Sequence, residues 1–191
     1  LQKIKQSLGQ NGEAINIIAT MNAGSIPKKR WVHDLQSGGG RIIGEACHLI
    51  DVCVFLSGAL VESVCMNNLG QSLDLLTDNA SILLKLKNGS NAVINYFSNG
   101  SKKYSKERVE VYSQEQTWVM DNYRRTEAYG IKSFKVLKTR IDKGHKNEFQ
   151  ELIQRIQNGG KPLIPINEII NVTKASFAAI ESIKTRKWIK V

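Results

Sequence analysis

Glu45, His48 and Asp51 recur every third residue inside an otherwise apolar stretch, GEACHLIDVCVFL. If that stretch is helical, they project within a stripe about 120° wide, and the imidazole has a carboxylate on either side of it. A carboxylate beside an imidazole orients its tautomer and favours its charged form, which poises a general acid–base group near neutral pH. The same pattern also fits a histidine with ordinary helix-surface or buried hydrogen-bond partners. Upstream, Ser37-Gly38-Gly39-Gly40 lets backbone approach a ligand closely and leaves amides at a helix N-terminus; it fits a flexible turn equally well. Cys47 adjoins His48, but neighbours on a helix point roughly 100° apart, so a Cys–His nucleophile is rejected. Cys47, Cys53 and Cys65 are odd in number and form no Cys-x-x-Cys pair. That argues against a disulfide framework and a zinc site, no metal is expected, and a reducing cytoplasm is the expected compartment.

The elements that must position these residues follow from periodicity and punctuation. Leu1 to Leu8 reads as the end of a helix stopped by Gly9, and Ala14 to Met21 as a strand bounded by Asn11-Gly12 and Asn22-Ala23-Gly24. The chemistry-bearing helix runs from Gly44 to Leu56, with Gly58 as its stop. Strands are expected at Val61 to Met66, Ala80 to Lys87, Ala92 to Phe97, Arg108 to Tyr112, Thr117 to Asp121 and Ser133 to Ile141. Asn88-Gly89 marks a tight hairpin. Helices return at Asn147 to Gln157 and Glu168 to Arg186, separated by Pro162 and Pro165. Asn167 is the expected cap of the last helix, and Ile169, Ile170, Val172, Thr173, Phe177, Ile180 and Ile183 its apolar side. This order predicts an α+β fold, an open, mostly antiparallel sheet with helices packed on one face. A doubly wound nucleotide fold is disfavoured, because strand–helix alternation and a G-x-G-x-x-G string are both missing.

The chain has 191 residues, 41% of them apolar, which suits one domain. Twenty-seven Lys and Arg against 17 Asp and Glu give a net charge of +10. The basic residues gather at Lys28 to Arg30, Lys102 to Arg108 and Lys184 to Lys190, but no nucleic-acid-binding pattern surrounds them. A solvated lysine-rich surface, with local attraction for a phosphorylated small molecule, is the plainer reading. The longest apolar run, Ile42 to Val61, is broken by Glu45, His48 and Asp51, so no membrane span is expected. The N-terminus lacks a secretory signal, and the chain reads as a piece of a longer polypeptide.

Several blocks together resemble one known family. NAGSIPKKRWVHD, GGGRIIGEACHLID followed by FLSG, DNASILLKLKNGSNAVINY, SKERVEVY and DKGH are similar, in that order, to landmarks of the Gfo/Idh/MocA oxidoreductases. The match is to the domain that follows their nucleotide-binding domain, in the branch that includes bi-domain oxidoreductases and bacterial sugar-pathway dehydrogenases. The resemblance spans nearly the whole chain. It implies that residues 1–191 are a single substrate-binding and oligomerisation domain, residues 1–10 being a linker helix from an N-terminal Rossmann domain that binds NAD or NADP. It implies an NAD(P)-dependent dehydrogenase acting on a sugar, nucleotide sugar or cyclic polyol, with this piece inert alone. In the family, a Lys from a Glu-Lys-Pro motif of the other domain works with the His matched by His48; no Glu-Lys-Pro occurs here. His48 would take the hydroxyl proton as hydride leaves the carbon, or return it in reverse.

Many members carry an Asp four residues before that His, where this chain has Gly44, so Glu45 is read as the second catalytic residue. Asp51 matches a recurrent Asp three residues after the His. The resemblance also assigns substrate contacts to Asn22, Trp31, His33, Arg41, Asp51, Lys106 and His145, with Arg41 and Lys106 suited to phosphate or carboxylate. A homo-oligomer through the uncovered sheet face is expected, with no nucleic-acid or membrane partner. The alternative is a non-catalytic sugar-binding or dimerisation module.

Overall fold

The computed structural model describes residues 1–9, 13–34, 36–132 and 134–191. Asn11-Gly12 and Ser133, expected to bound strands, lie outside the described residues. Helix α1 (Gln2–Leu8) is followed by strand β1 (Asn16–Asn22), a single 3₁₀ turn (Trp31–His33), a π-helical turn (Ile42–Ala46) and helix α2 (Cys47–Ser57). Then come β2 (Val61–Asn68), β3 (Asn79–Leu86), β4 (Asn91–Phe97), β5 (Glu107–Ser113), β6 (Gln116–Asp121), β7 (Arg125–Tyr129) and β8 (Val136–Lys138). Helices α3 (His145–Asn158) and α4 (Ile166–Thr185) and the short strand β9 (Ile189–Lys190) complete the order.

Among the described residues the strands form one sheet in the order β8-β7-β6-β5-β1-β4-β3-β2-β9. Every pair is antiparallel except β1 with β4. The fold is therefore the expected α+β arrangement with an open sheet. Alternation sets its two faces. Ile17, Ala19 and Met21 of β1, Ala92, Ile94 and Tyr96 of β4, and Val109 and Val111 of β5 turn inward and are buried. The opposite face carries Ile18, Leu83 and Tyr112, which stay exposed among polar neighbours, and among the described residues no helix buries them.

Helices α2 and α4 pack on the buried face, but α4 buries only part of the side expected, with Val172 and Ile183 inward as read and small residues in place of the other large ones. Val172, Ala175, Ser176, Ala178, Ala179, Ser182 and Ile183 are buried, whereas Ile169, Ile170 and Phe177 are exposed. Small side chains let α4 lie close enough to β2 to serve its backbone. The Asn171 amide donates to the Val61 carbonyl at 3.0 Å and accepts from the Val61 N–H at 2.7 Å. Ser182 Oγ accepts from the Met66 N–H at 2.9 Å. Val61 borders a register shift between Val61 and Ser63, and Met66 lies beyond the two residues of β2 that pair with β9.

Three further details differ from expectation. Pro165, not Asn167, precedes the first turn of α4, so Asn167 lies inside the helix. Strand β7, RTEAY, had no apolar run to announce it, only Thr126 and Ala128 alternating inward between polar residues. The strand expected over Ser133 to Ile141 shrinks to the three exposed residues of β8.

Replacing Asn171 by Leu keeps the volume but strands a buried N–H and C=O of Val61. Urea denaturation is expected to show a loss of about 2–4 kcal/mol, and Ser182→Ala, which strands one N–H, about half of that.

Candidate active site

The segment entering α2 is built from a tight turn. Asp34 Oδ1 accepts the N–H groups of Gln36 and Ser37, both at 2.8 Å, which holds its carboxyl below the usual range despite some desolvation. Its carbonyl accepts the N–H groups of Gly38 and Gly39. A Cβ on Gly38 would fall 2.3 Å from the Trp31 carbonyl oxygen, so glycine is required there by the chain's own 3₁₀ turn. The close approach read from the glycine run is thus internal.

Arg41 begins the helical entry and is buried, 2% exposed. Its guanidinium donates to both carboxylate oxygens of Glu45 at 3.2 Å and to the Gly24 carbonyl at 2.7 Å. It lies 3.6 Å from Asp78 and 5.3 Å from the centre of the Tyr96 ring. Tyr96 in turn donates its hydroxyl to Glu45 at 2.7 Å. Burial raises the Glu45 pKa, but the hydrogen bonds from Arg41 and Tyr96 outweigh it and hold the carboxyl below its ordinary value. Burial and the Glu45 contact push the Tyr96 phenol well up, so it stays a donor.

This cluster pulls Glu45 inward and coincides with the π-helical turn Ile42–Ala46. A π turn inserts one residue, roughly 100° of rotation, into a helix. Glu45 lies inside that turn, its carboxylate is taken up by Arg41 and Tyr96, and among the described residues no hydrogen bond joins it to His48, whereas plain α-helical spacing had set the two side by side. The outward stripe carries Gly44, His48 and Phe55, all exposed, with Asp51 half-buried beside them. Burial raises the Asp51 pKa and the nearby His48 partly offsets this. The carboxylate whose charge is coupled to the imidazole is Asp51. A Cβ on Gly44 would meet only the Gly38 carbonyl oxygen, at 3.8 Å, which leaves open space one turn before His48. Cys47 is half-buried, and desolvation raises its thiol pKa, which does not favour a nucleophile.

The remaining candidates separate. Strand register brings Asn22, Phe97, Glu107 and Asp121 to one end of the sheet, the end at which Arg41 and Glu45 lie. There, Lys106 is exposed and close enough to Glu45 to lower its pKa. Asn22 donates to the Ser101 carbonyl at 2.7 Å, while its buried Oδ1 has no partner and lies against Gly100. His33 places Nε2 3.3 Å from the Ile26 carbonyl oxygen, and Trp31 is exposed. His145 is the exposed first residue of α3, and among the described residues no side-chain hydrogen bond ties it to the cluster. Arg41 is the site residue whose expected role the geometry opposes: it is buried, and its guanidinium is taken up by Glu45, Gly24, Asp78 and the Tyr96 ring.

Sequence reasoning missed Tyr96 and Asp78 in this cluster, and the pair Glu107–Lys143. Glu107 is buried and meets Lys143 at 2.7 Å, whose ammonium also sits 5.5 Å from the centre of the Tyr123 ring. Tyr96 was detectable as a lone hydroxyl in a buried strand row; its partner was not. Among the described residues no group of three or more His, Cys, Asp or Glu could hold a metal ion, and no helix is long and apolar enough to cross a membrane.

The family model described as the GFO/IDH/MocA C-terminal domain matches residues 3–119. Levoglucosan dehydrogenase, solved with NADH and levoglucosan, superposes with a TM-score of 0.80 at 15% identity, over 98% of this chain and 62% of that one. An oxidoreductase domain protein from Kribbella flavida gives 0.77 at 16% identity, over 100% and 63%. Aldose-aldose oxidoreductase from Caulobacter crescentus, complexed with glycerol, gives 0.77 at 12% identity, over 99% and 58%. The chain spans about three-fifths of the length of such structures, and at these identities the likeness is one of fold. No curated protein matches the chain in sequence.

Arg41→Met should cost about 3–5 kcal/mol in denaturation, because it leaves a partly buried carboxylate and the Gly24 carbonyl without their donor. Glu45, whose folded pKa is depressed below 4.5, contributes stability that is complete above that value and lost as pH falls through the folded value. The stability gap between wild type and Glu45→Gln should therefore narrow as pH is lowered below 4.5, read from urea midpoints across an acid series.

Proposed function

Because this chain belongs to the GFO/IDH/MocA C-terminal domain family, we propose that it is the substrate-side domain of an NAD(P)-dependent dehydrogenase. Its substrate would be a sugar, nucleotide sugar or cyclic polyol, and the enzyme a cytoplasmic homo-oligomer paired through the open sheet face. The observation that supports the reading is the exposed His48 in the first turn of α2, with Asp51 near enough for its charge to be felt and open space at Gly44.

The chain's own residues do not build a dinucleotide cradle: Gly38 is packed against the Trp31–Val32 backbone, Gly39 against Ile43 and Gly40 against Leu76, and no doubly wound layer is present among the described residues. The cofactor's binding is assigned to a separate Rossmann domain. When bound, the nicotinamide supplies the hydride acceptor or donor. His48 takes the proton of the substrate hydroxyl at its free imidazole nitrogen during oxidation and returns it to the carbonyl oxygen during reduction. Asp51 stabilises the imidazolium formed in the first of these steps. Lys106 and Asn22, at the same end of the sheet, are assigned to the substrate's outer hydroxyl or acidic groups, and Trp31, His33 and His145 to its periphery. Glu45 holds the frame through Arg41 and Tyr96.

A second reading, a sugar-binding or dimerisation module without catalysis, is favoured by the absence of any side chain at Gly44. The two separate on His48→Ala in the polypeptide that joins this chain to its cofactor domain. Turnover should fall at least about 10²-fold, with NAD(P)H fluorescence titration and circular dichroism unchanged. Unchanged turnover would leave the module reading.

A further inference from the structure

The loop between β4 and β5, residues 98–106, is pinned along its length. The Ala23 N–H donates to the Phe97 carbonyl and the Asn22 N–H to the Lys106 carbonyl, both at 2.7 Å. Asn79 Oδ1 accepts the N–H groups of Ser98 and Asn99 at 3.0 and 3.3 Å. Asn22 Nδ2 donates to the Ser101 carbonyl at 2.7 Å, and a Cβ on Gly100 would fall 2.3 Å from Asn22 Oδ1, so only glycine fits there. A segment held this closely loses little freedom when it meets a ligand. The loop carries Lys102, Lys103 and Lys106, all exposed. The stem of Lys102 lies against Gly24, where an added Cβ would meet its Cε at 3.6 Å, and the Gly24 carbonyl holds Arg41. Lys106 is near enough to Glu45 to lower its pKa. Lys102 and Lys106 thus flank the Arg41–Glu45 frame, one helical turn before His48. The carboxylates at this end of the sheet are already matched: Glu45 and Asp78 face Arg41, Glu107 pairs with Lys143, and the charge of Asp121 is felt by Arg108 and Arg125. Among the described residues no carboxylate pairs with Lys102, Lys103 or Lys106.

We propose that Lys102, Lys103 and Lys106 form a diphosphate subsite, so that the substrate is a sugar carried on a nucleoside diphosphate rather than a free sugar or polyol. The inference rests on the reading of the chain as the substrate-side domain of a dehydrogenase. Neighbouring ammonium groups with no carboxylate among them match a group that bears more than one negative charge; a single carboxylate would leave most of their charge uncompensated. Lysine serves phosphate as a point charge, whereas the fork that suits a carboxylate belongs to arginine, and Arg41 of the frame is buried and engaged. With the diphosphate on the loop, the linked sugar extends toward the start of α2, where His48 is exposed. The surplus of cations also draws a polyanion to this end of the sheet before contact is made.

The test is titration calorimetry on the polypeptide that joins this chain to its cofactor domain, with the cofactor site saturated by NAD(P)H so that an added diphosphate cannot enter it. UDP, inorganic pyrophosphate and glucuronate are the probes. UDP and pyrophosphate are expected to bind at least about tenfold more tightly than glucuronate, with an affinity that falls as salt is raised. Lys102→Gln combined with Lys106→Gln should weaken both at least about tenfold. Lys87→Gln, on the β3–β4 hairpin at the other end of the sheet, should leave both unchanged. Gly100→Ala alters no charge but displaces the loop from Asn22, and should weaken UDP binding by about threefold or more, with circular dichroism retained. Failure of UDP and pyrophosphate to bind, equal or tighter binding of glucuronate, or wild-type affinity for UDP in the double lysine variant would each overturn the subsite. None of these readouts involves turnover, so the dehydrogenase reading stands or falls separately, on His48→Ala.

Discussion

The buried guanidinium of Arg41 is the constraint on which the rest of the site depends. Taking a cation out of water is costly unless its donors are matched, so wherever Arg41 sits, acceptors must converge. They come from four stretches of chain: the Gly24 carbonyl beyond β1, Glu45 on the π turn, Asp78 ahead of β3, and the face of the Tyr96 ring on β4, whose hydroxyl donates to Glu45. Removing any one would leave the others with a charge they cannot neutralise. The end of the sheet and the start of α2 are thereby locked together, and the orientation of everything further along α2 is inherited from that lock.

The sheet's two faces divide the remaining work. On the covered face, α4 presents small residues inward, and Asn171 and Ser182 complete the hydrogen bonding of β2 at Val61 and Met66. Close approach of a helix to a strand excludes large side chains from the contact, so Ile169, Ile170 and Phe177 are displaced to the outside. Their exposure follows from the packing of the inner face. On the open face, Arg108–Glu110 and Arg125–Glu127 ion pairs stand beside Ile18 and Leu83, a mixed surface that resists non-specific edge pairing while leaving apolar area to bury.

Much of this was legible in the residues alone. β-branched runs and Asn88-Gly89 located β1 to β6 to within one or two residues, because strand alternation and hairpin turns are local properties. The same locality explains the misses. β7 is held by its neighbours, with Thr126 and Ala128 too small to signal burial. The inward side of α4 depends on how near β2 lies, which no helical pattern reports. The trio Glu45, His48 and Asp51 was singled out by spacing alone, but the holding of Glu45 apart from the other two rests on Tyr96, 51 residues away in sequence from Glu45. His48 was found by its company, and Arg41 was assigned to the substrate because an arginine's burial is a tertiary fact.

The two carboxylates beside His48 show why that division matters for chemistry. An acid–base imidazole works best beside a carboxylate that can respond to its charge, and worst beside one already neutralised by a cation. Glu45 is neutralised: it accepts from Arg41 and Tyr96, and its charge is committed below its ordinary pKa. Asp51 lacks such donors, is raised by burial, and is offset by His48. A proton arriving on His48 therefore changes the field at Asp51 and leaves Glu45 bound to its own partners. The entry to α2 thus sets a carboxylate locked into the frame apart from an exposed imidazole with a half-buried carboxylate near it, the division on which the proposed proton transfer would depend.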